Sequence, residues 1–362
     1  MENWVKKCGL EIYRTAGSSL RGTGYAQVTD ESMMIGSQKL LLTLGIPAKH
    51  PGRPLDSSEA RVLDMSVAES WTGEGVARRL LVASDRVGHA ALYLVSDNAS
   101  IMIAGARLAG MKHYHDISHS LGMYLERTYK NEVDFKTYLA LMTEPKFKHN
   151  MKKIAYLLPP RQRTIARFLN LSGWVDWSKK MLASFHRLDA DEREVFSFIP
   201  ANASLIDELS GVMTCVKSIE HLFKHSGLSR QTAGECRELV EKYLLPGNAR
   251  MIKLGNAIIE FIEKEAALFD LQNTSHNNSS DIIESLFGTF KTRKSPNKLH
   301  GITPFILFVP VQAKLKGKEQ AKLFDFKAAL ENIKLSDIDS WRDENPPANL
   351  VNKRTKCLKM IG

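Results

Sequence analysis

Of the 362 residues 43% are apolar and 25% charged, the balance of a globular chain with enough length for one large core or two ordinary ones. No apolar run is long enough to span a membrane (Phe305-Ile-Leu-Phe-Val-Pro-Val is far too short) and no signal-peptide pattern opens the chain. The four cysteines, Cys8, Cys215, Cys236 and Cys357, lie far apart with no CxxC pair, which argues against a disulfide framework and a thiolate zinc site and for a reducing cytoplasm. The net charge of +10 suits a polyanionic partner. The excess is clustered: Lys146, Lys148, Lys152, Lys153, Arg161, Arg163 and Arg167; then Lys291, Arg293, Lys294 and Lys298; then Lys314, Lys316, Lys318 and Lys322. That distribution points to nucleic acid.

In chain order, residues 1–20, with Trp4, Leu10, Ile12 and Tyr13, form a lead-in. Gly24 to Asp30 alternates like a strand ending on an acid, and Ser32 to Ser37 is turn-like. Lys39 to Gly45 is a second strand, and Ala60 to Ala68 a third after a Pro/Gly loop. Thr72 as N-cap and Glu74 in the first turn predict a helix through about Val87. Ala91-Leu-Tyr-Leu-Val-Ser-Asp97 is a short apolar strand stopping at a carboxylate. Asn98-Ala-Ser then opens a helix with apolar residues at Ile101, Ile103, Ala104 and Leu108. Lys112 to Ile117 is a fifth strand. The order β-β-β-α-β-α-β is that of a ribonuclease-H-like sheet.

From Ser118 to about Phe269 the pattern is helical, most clearly in the stripe Leu205, Ile206, Leu209, Val212, Met213, Val216, Ile219, Leu222 and Phe223. Gln272 to Ser280 is polar and loop-forming. Asp281 to Lys291 is a helix with Ile282, Ile283, Leu286, Phe287 and Phe290 on its buried face and Glu284 at the edge. Lys291, seven residues on, points the same way. Short helices and a basic tail after Pro346-Pro347 complete the chain.

Asp97 would close a strand at the carboxyl edge of the sheet, where α/β proteins place ligands. A helix cap is the commoner role for such an Asp, but Ser96, Asn98 and Ser100 are also able to cap. Asp30 and Glu284 complete a trio suited to hard, oxygen-liganded cations. Asp64, in mid-strand, and Glu31, facing away from Asp30, rank below them. The series His113-Tyr-His115-Asp116-Ile-Ser-His119 contains good metal ligands. A strand alternation followed by a helix start would not converge all four side chains, so zinc is discounted.

Val-Thr-Asp30-Glu-Ser-Met-Met-Ile-Gly-Ser-Gln-Lys-Leu-Leu-Leu, Val-Ser-Asp97-Asn-Ala-Ser and Asp281-Ile-Ile-Glu284-Ser-Leu-Phe-Gly together resemble the catalytic core of bacterial insertion-sequence DDE transposases, over about residues 4–345. The resemblance implies Asp30, Asp97 and Glu284 as ligands of two Mg²⁺ or Mn²⁺ ions that support DNA strand cleavage and transfer. It implies double-stranded DNA, element ends and target, as partner, a homo-oligomer in the active complex, a nucleoid-associated cytoplasmic location and no membrane. The separation 284 − 97 = 187 resembles members with an all-helical insertion. Asp116 and His119 match the Asp/Cys-x-x-His pattern of hAT- and Mutator-like transposases, with His119 near the scissile phosphate and Asp116 behind it; the alternative is a helix cap and a first-turn histidine. Trp174 and Trp177 resemble the aromatic that stacks on a flipped base in hairpin-forming relatives; the alternative, favoured for at least one, is core. Lys291 matches a basic residue that contacts the DNA backbone, and Arg293, Lys294, Lys298, Arg161 and Arg163 extend the expected contact surface. Insertion-sequence transposases usually carry a helix-turn-helix domain ahead of the core, for which this sequence leaves no room.

The expected fold is therefore α/β, a ribonuclease-H-like mixed five-stranded sheet with flanking helices. The expected division is a lead-in (1–20), the core's first part (21–120), an all-helical insertion (121–275), the core's second part (276–345) and a basic tail (346–362). Two other functions fit the sequence: a non-catalytic, transposase-derived DNA-binding protein acting as repressor or remnant, and a host ribonuclease-H-like nuclease.

Overall fold

The structure, a computed structural model, describes residues 2–35, 38–160, 168, 171–269, 274–293 and 302–345, with 354, 357–358 and 360 beyond. It divides into two compact units, one of residues 1–116 with 275–362 and one of residues 117–274.

The first unit begins with helix α1 (Glu2–Thr15) and the strands β1 (Tyr25–Ile35), β2 (Gln38–Pro47) and β3 (Arg61–Ala68). Helix α2 (Gly73–Val87), strand β4 (Leu94–Ser96), helix α3 (Ser100–Leu108) and strand β5 (His113–His115) follow. The strands form one five-stranded sheet in the order β3-β2-β1-β4-β5. β1, β2 and β3 pair antiparallel, whereas β4 is parallel to β1 and β5 to β4. This is the mixed sheet and element order expected from the sequence. The lead-in is itself a helix. Its Cys8, Leu10, Ile12 and Tyr13 are buried, so it is an integral layer of the unit.

Two helices cover one face of the sheet. Val76 and Leu80 of α2 and Met102 and Ala106 of α3 pack with Leu41 and Leu94 in one core cluster. The helices cross at glycines: a Cβ on Gly105 would lie 2.5 Å from Val76 Cγ1, and one on Gly73 2.7 Å from Ala104 Cβ. Thr72 caps α2 as expected, its hydroxyl accepting the Gly75 N–H at 3.1 Å.

The second unit is helical throughout its described residues. It comprises α4 (Ile117–Tyr129), α5 (Val133–His149), α6 (Leu171–Ser184), α7 (Ala190–Val195), α8 (Phe198–Ala201), α9 (Ala203–Ser226), α10 (Arg230–Tyr243) and α11 (Ala249–Ala267). The stripe read from the sequence is the buried face of α9, except that Leu222 is only half-buried; the helix packs against α4, α6 and α10. Arg250 ties four helices together. Its guanidinium donates to Glu208 of α9 at 2.9 and 2.8 Å and to both Asp134 oxygens at 2.9 Å, while Tyr129 O–H donates to Glu208 at 2.7 Å.

The chain returns to the first unit through α12 (Asp281–Arg293), α13 (Phe308–Leu315), α14 (Lys318–Leu323), α15 (Phe326–Asn332) and α16 (Leu335–Glu344). α12 packs against β1 and α13, and α13 against β3 and α1. The apolar run from Phe305 thus forms the end of a 3-10 turn and a short helix, and no described helix is long and apolar enough to cross a membrane.

Candidate active site

The pleat of β1 sorts its side chains. Gln27 donates to Leu80 O (3.2 Å) and Ser84 Oγ (3.0 Å) of α2, so it lies on the face that α2 and α3 cover. Thr29 shares that side, its hydroxyl 2.9 Å from Thr43 Oγ1. By alternation Val28 and Asp30 project to the opposite face. In the parallel pairing Gln27 meets Leu94 and Val28 meets Val95. Asp30 and Asp97 each stand two residues beyond that last pair (30 − 28 = 2; 97 − 95 = 2), on adjacent chains at one end of the sheet. Continuing the alternation gives them the same face.

β1 does not end at Asp30, as its sequence suggested. The strand runs on to Ile35 against β2, with a register shift between Asp30 and Met33. The shift begins at the carboxylate, past the point where β4, the strand on the other side of β1, stops at Ser96. Asp30 is 5% exposed, whereas Asp97, just beyond β4, is half-buried and accepts the Ala99 N–H at 3.0 Å. That turn corrects the capping expectation. The α3 N-cap position is Ala99, without a side-chain cap, and Asp97 itself shapes the approach to the helix.

The competing acids are engaged elsewhere. Asp64, fully buried, forms a forked ion pair with Arg79 of α2 (Nε to Oδ2 2.9 Å) and accepts from Ser66 Oγ at 2.8 Å. Glu31 pairs with Lys39 at 2.5 Å.

The helix that bears Glu284, α12, packs against β1 and is held by the segment before it. His276 stacks on Tyr93 with ring centres 4.4 Å apart and meets Tyr114 edge-on at 5.3 Å. Tyr93 and Tyr114 alternate with Leu94 and with His113, its β5 partner, so they share a face with Val95. The Asp116 carboxylate, fully buried past the end of β5, accepts both the Ser280 N–H (2.6 Å) and the Ser280 hydroxyl (2.9 Å). Ser280 O in turn accepts the Ile283 N–H at 2.8 Å, so Ser280 starts the first turn of the Glu284 helix. Glu284 is half-buried at the edge of the apolar face formed by Ile282, Ile283, Leu286, Phe287 and Phe290. The run 274–280, read as a polar loop, is thus irregular yet pinned, with Asn277, Asn278 and Ser280 all buried.

Among the described residues no group of three or more His, Cys, Asp or Glu side chains stands ready to hold a metal ion. Two carboxylates at the end of adjacent strands still suit Mg²⁺, which keeps several waters and is habitually held by one or two carboxylates plus substrate phosphates. On the opposite face, which α2 and α3 cover, His113 Nε2 is 2.7 Å from Ser96 Oγ. Burial, and secondarily His115, pushes the His113 pKa down to about 4.

The other expected residues belong to several elements. His119 lies half-buried in the first turn of α4, in the second unit. Trp174 is 2% exposed, as in the core alternative, with its indole N–H donating to Pro160 O at 2.9 Å and Lys146 Nζ 5.0 Å from its ring centre. Trp177 is half-buried, donates to Leu157 O at 3.1 Å and meets Phe196 edge-on. Lys291 and Arg293 are exposed in the last turn of α12. Arg161, Arg163, Lys294 and Lys298 lie outside the described residues, as does most of the basic tail. Sequence reasoning missed Tyr93, Asn277 and Ser280, for which no local pattern existed.

No protein-family model matches this chain, and no curated protein matches it. Among solved structures it is similar to the Drosophila P element transposase strand transfer complex, at 9% identity and a TM-score of 0.42, over 86% of this chain and 81% of that one.

Proposed function

We propose that the chain is a divalent-metal-dependent DNA strand-cleaving and strand-transferring enzyme of the DDE transposase type on a ribonuclease-H-like core. The observation that carries this is the shared position of Asp30 and Asp97, two residues past the last β1–β4 pair, on the face where the Glu284 helix is anchored. Asp30 and Asp97 would hold the ion or ions, with Glu284 approaching from α12. Bound there, Mg²⁺ or Mn²⁺ would activate a water or a DNA 3′-hydroxyl for in-line attack and stabilise the leaving oxygen. The chain's own part is to fix the carboxylates on a rigid sheet edge and, through exposed Lys291 and Arg293, to hold the DNA backbone by charge. His119 stays in the proposal through the Asp116-x-x-His119 pattern alone. The 117–274 unit, whose described elements are all helices, fits the insertion that the resemblance implies.

The test is nicking of supercoiled DNA in Mg²⁺ or Mn²⁺ by the wild-type chain and by Asp97→Asn. Losing several kcal/mol of transition-state stabilisation implies a drop of about a hundredfold or more. DNA affinity should be equal or higher, since one negative charge leaves a phosphate-facing site. Undiminished nicking by the variant would remove Asp97 from the chemistry. Binding without any nicking by the wild type would favour the non-catalytic alternative.

A further inference from the structure

We infer that the Tyr93 hydroxyl is the positioning group for the Glu284 helix, acting through a strap formed by residues 275–280. This rests on the assignment of Glu284 to the site.

The strap is fastened at Ser275, His276, Asn277 and Ser280. His50 N–H donates to Ser275 O at 2.9 Å, and His276 forms an isolated antiparallel bridge with Lys49. Asn277 N–H donates to Tyr93 Oη at 2.9 Å, and its side-chain amide donates to Pro47 O at 2.9 Å. Ser280 closes the strap on Asp116. Every anchor lies at or just beyond the end of a strand: Pro47 closes β2 and Ala48 to His50 follow it, Tyr93 precedes β4, and Asp116 follows β5.

Tyr93 is the central anchor. Its ring is fully buried beneath His276, and its O–H donates to Ala48 O at 2.6 Å while its oxygen accepts from Asn277. One phenol thus joins the end of β2 to the strap. Four residues later the same chain segment ends in Asp97, and on the strap's side α12 begins at Asp281 and bears Glu284. Burial raises the Tyr93 pKa, so the phenol stays protonated and keeps both bonds. Removing the oxygen would leave the Asn277 N–H and the Ala48 carbonyl buried without this partner, which favours local release of the strap over continued burial.

The experiment compares the full chain with Tyr93→Phe, which keeps the ring contacts, and with Asn277→Ala, which removes the bond to Pro47 and serves should Tyr93→Phe fail to fold. Hydrogen exchange should rise about tenfold or more at amides 277–284 while β1, β2 and α2 stay protected. Mn²⁺ affinity, followed by electron paramagnetic resonance, should fall about tenfold or more, as when a group that orients a ligand is lost. Unchanged exchange at 281–284, or a rise spread evenly over the unit, would overturn the inference. Local release with unchanged Mn²⁺ affinity would also overturn it, separating the strap from Glu284. Should the wild-type chain bind no Mn²⁺, the metal-site assignment fails on its own, and the exchange pattern still decides whether Tyr93 sets the helix.

Discussion

Asp116 and Ser280, 164 residues apart in sequence, are joined by two hydrogen bonds that fasten the head of α12 to the end of β5. The carboxylate is fully buried, so its removal strands a buried N–H and a buried hydroxyl. Asp116→Ala should therefore lower unfolding free energy by about 1–3 kcal/mol. Asp116→Asn, which keeps an acceptor oxygen, should lose less. Urea unfolding of both variants checks this, and equal losses would mean that the bonds to Ser280 are not what the side chain contributes.

His113 makes stability pH-dependent in a defined direction. Its folded-state pKa is lowered from 6.5 to about 4 by burial, with His115 adding to the effect. The unfolded chain takes up that proton first as pH falls, so the contribution is complete above 6.5 and is lost between 6.5 and about 4. His113→Gln should flatten the fall in urea midpoint across that window. An unaltered pH profile would assign the loss to other groups.

Trp174 should behave as a core residue. Trp174→Ala is expected to cost about 3–5 kcal/mol of stability. Trp174→Phe should lose less, and its DNA affinity should match that of the wild type. Weaker DNA binding by a stably folded Trp174→Phe would favour the stacking role over the core one.

Much of the sheet was legible because its signals are local. The apolar runs at 39–45 and 60–68 and the Thr72 cap each declare an element within a few residues, and the α9 stripe declares its buried face. What escaped is non-local. The extension of β1 past Asp30 comes from pairing with β2, which overrides the turn-like composition of 32–35; Gly36 and Ser37 lie outside the described residues. The segment 274–280 is polar in sequence because its partners, Tyr93 and Pro47, lie 184 and 230 residues away and supply hydrogen bonds that make burial tolerable. For Asp97, the strand-end position was readable in the sequence. Its bond to Ala99 was not, since Ser96, Asn98 and Ser100 offered equally good local acceptors.

Exposed cations should govern duplex affinity. Binding is expected to be weak and steeply salt-dependent, with a log–log slope of about −0.9 per phosphate contact. Lys291→Ala and Arg293→Ala should each make that slope shallower by about 0.9 and weaken random and element-end duplexes alike. Anisotropy titrations at several salt concentrations read this directly. Unchanged slopes in both variants would take the end of α12 out of the DNA interface.

The central claim is that Asp30 and Asp97, brought to one end and one face of the sheet by the β1–β4 register, share a metal site. Its most direct measurement is Mn²⁺ binding to the wild-type chain, Asp30→Asn, Asp97→Asn and the double variant, each with bound duplex DNA. The predicted result is at least tenfold weaker binding in each single variant, with the double variant losing less than the product of the two because the side chains act on the same ion. Wild-type affinity in both single variants would contradict the claim, as would fully independent, multiplicative losses.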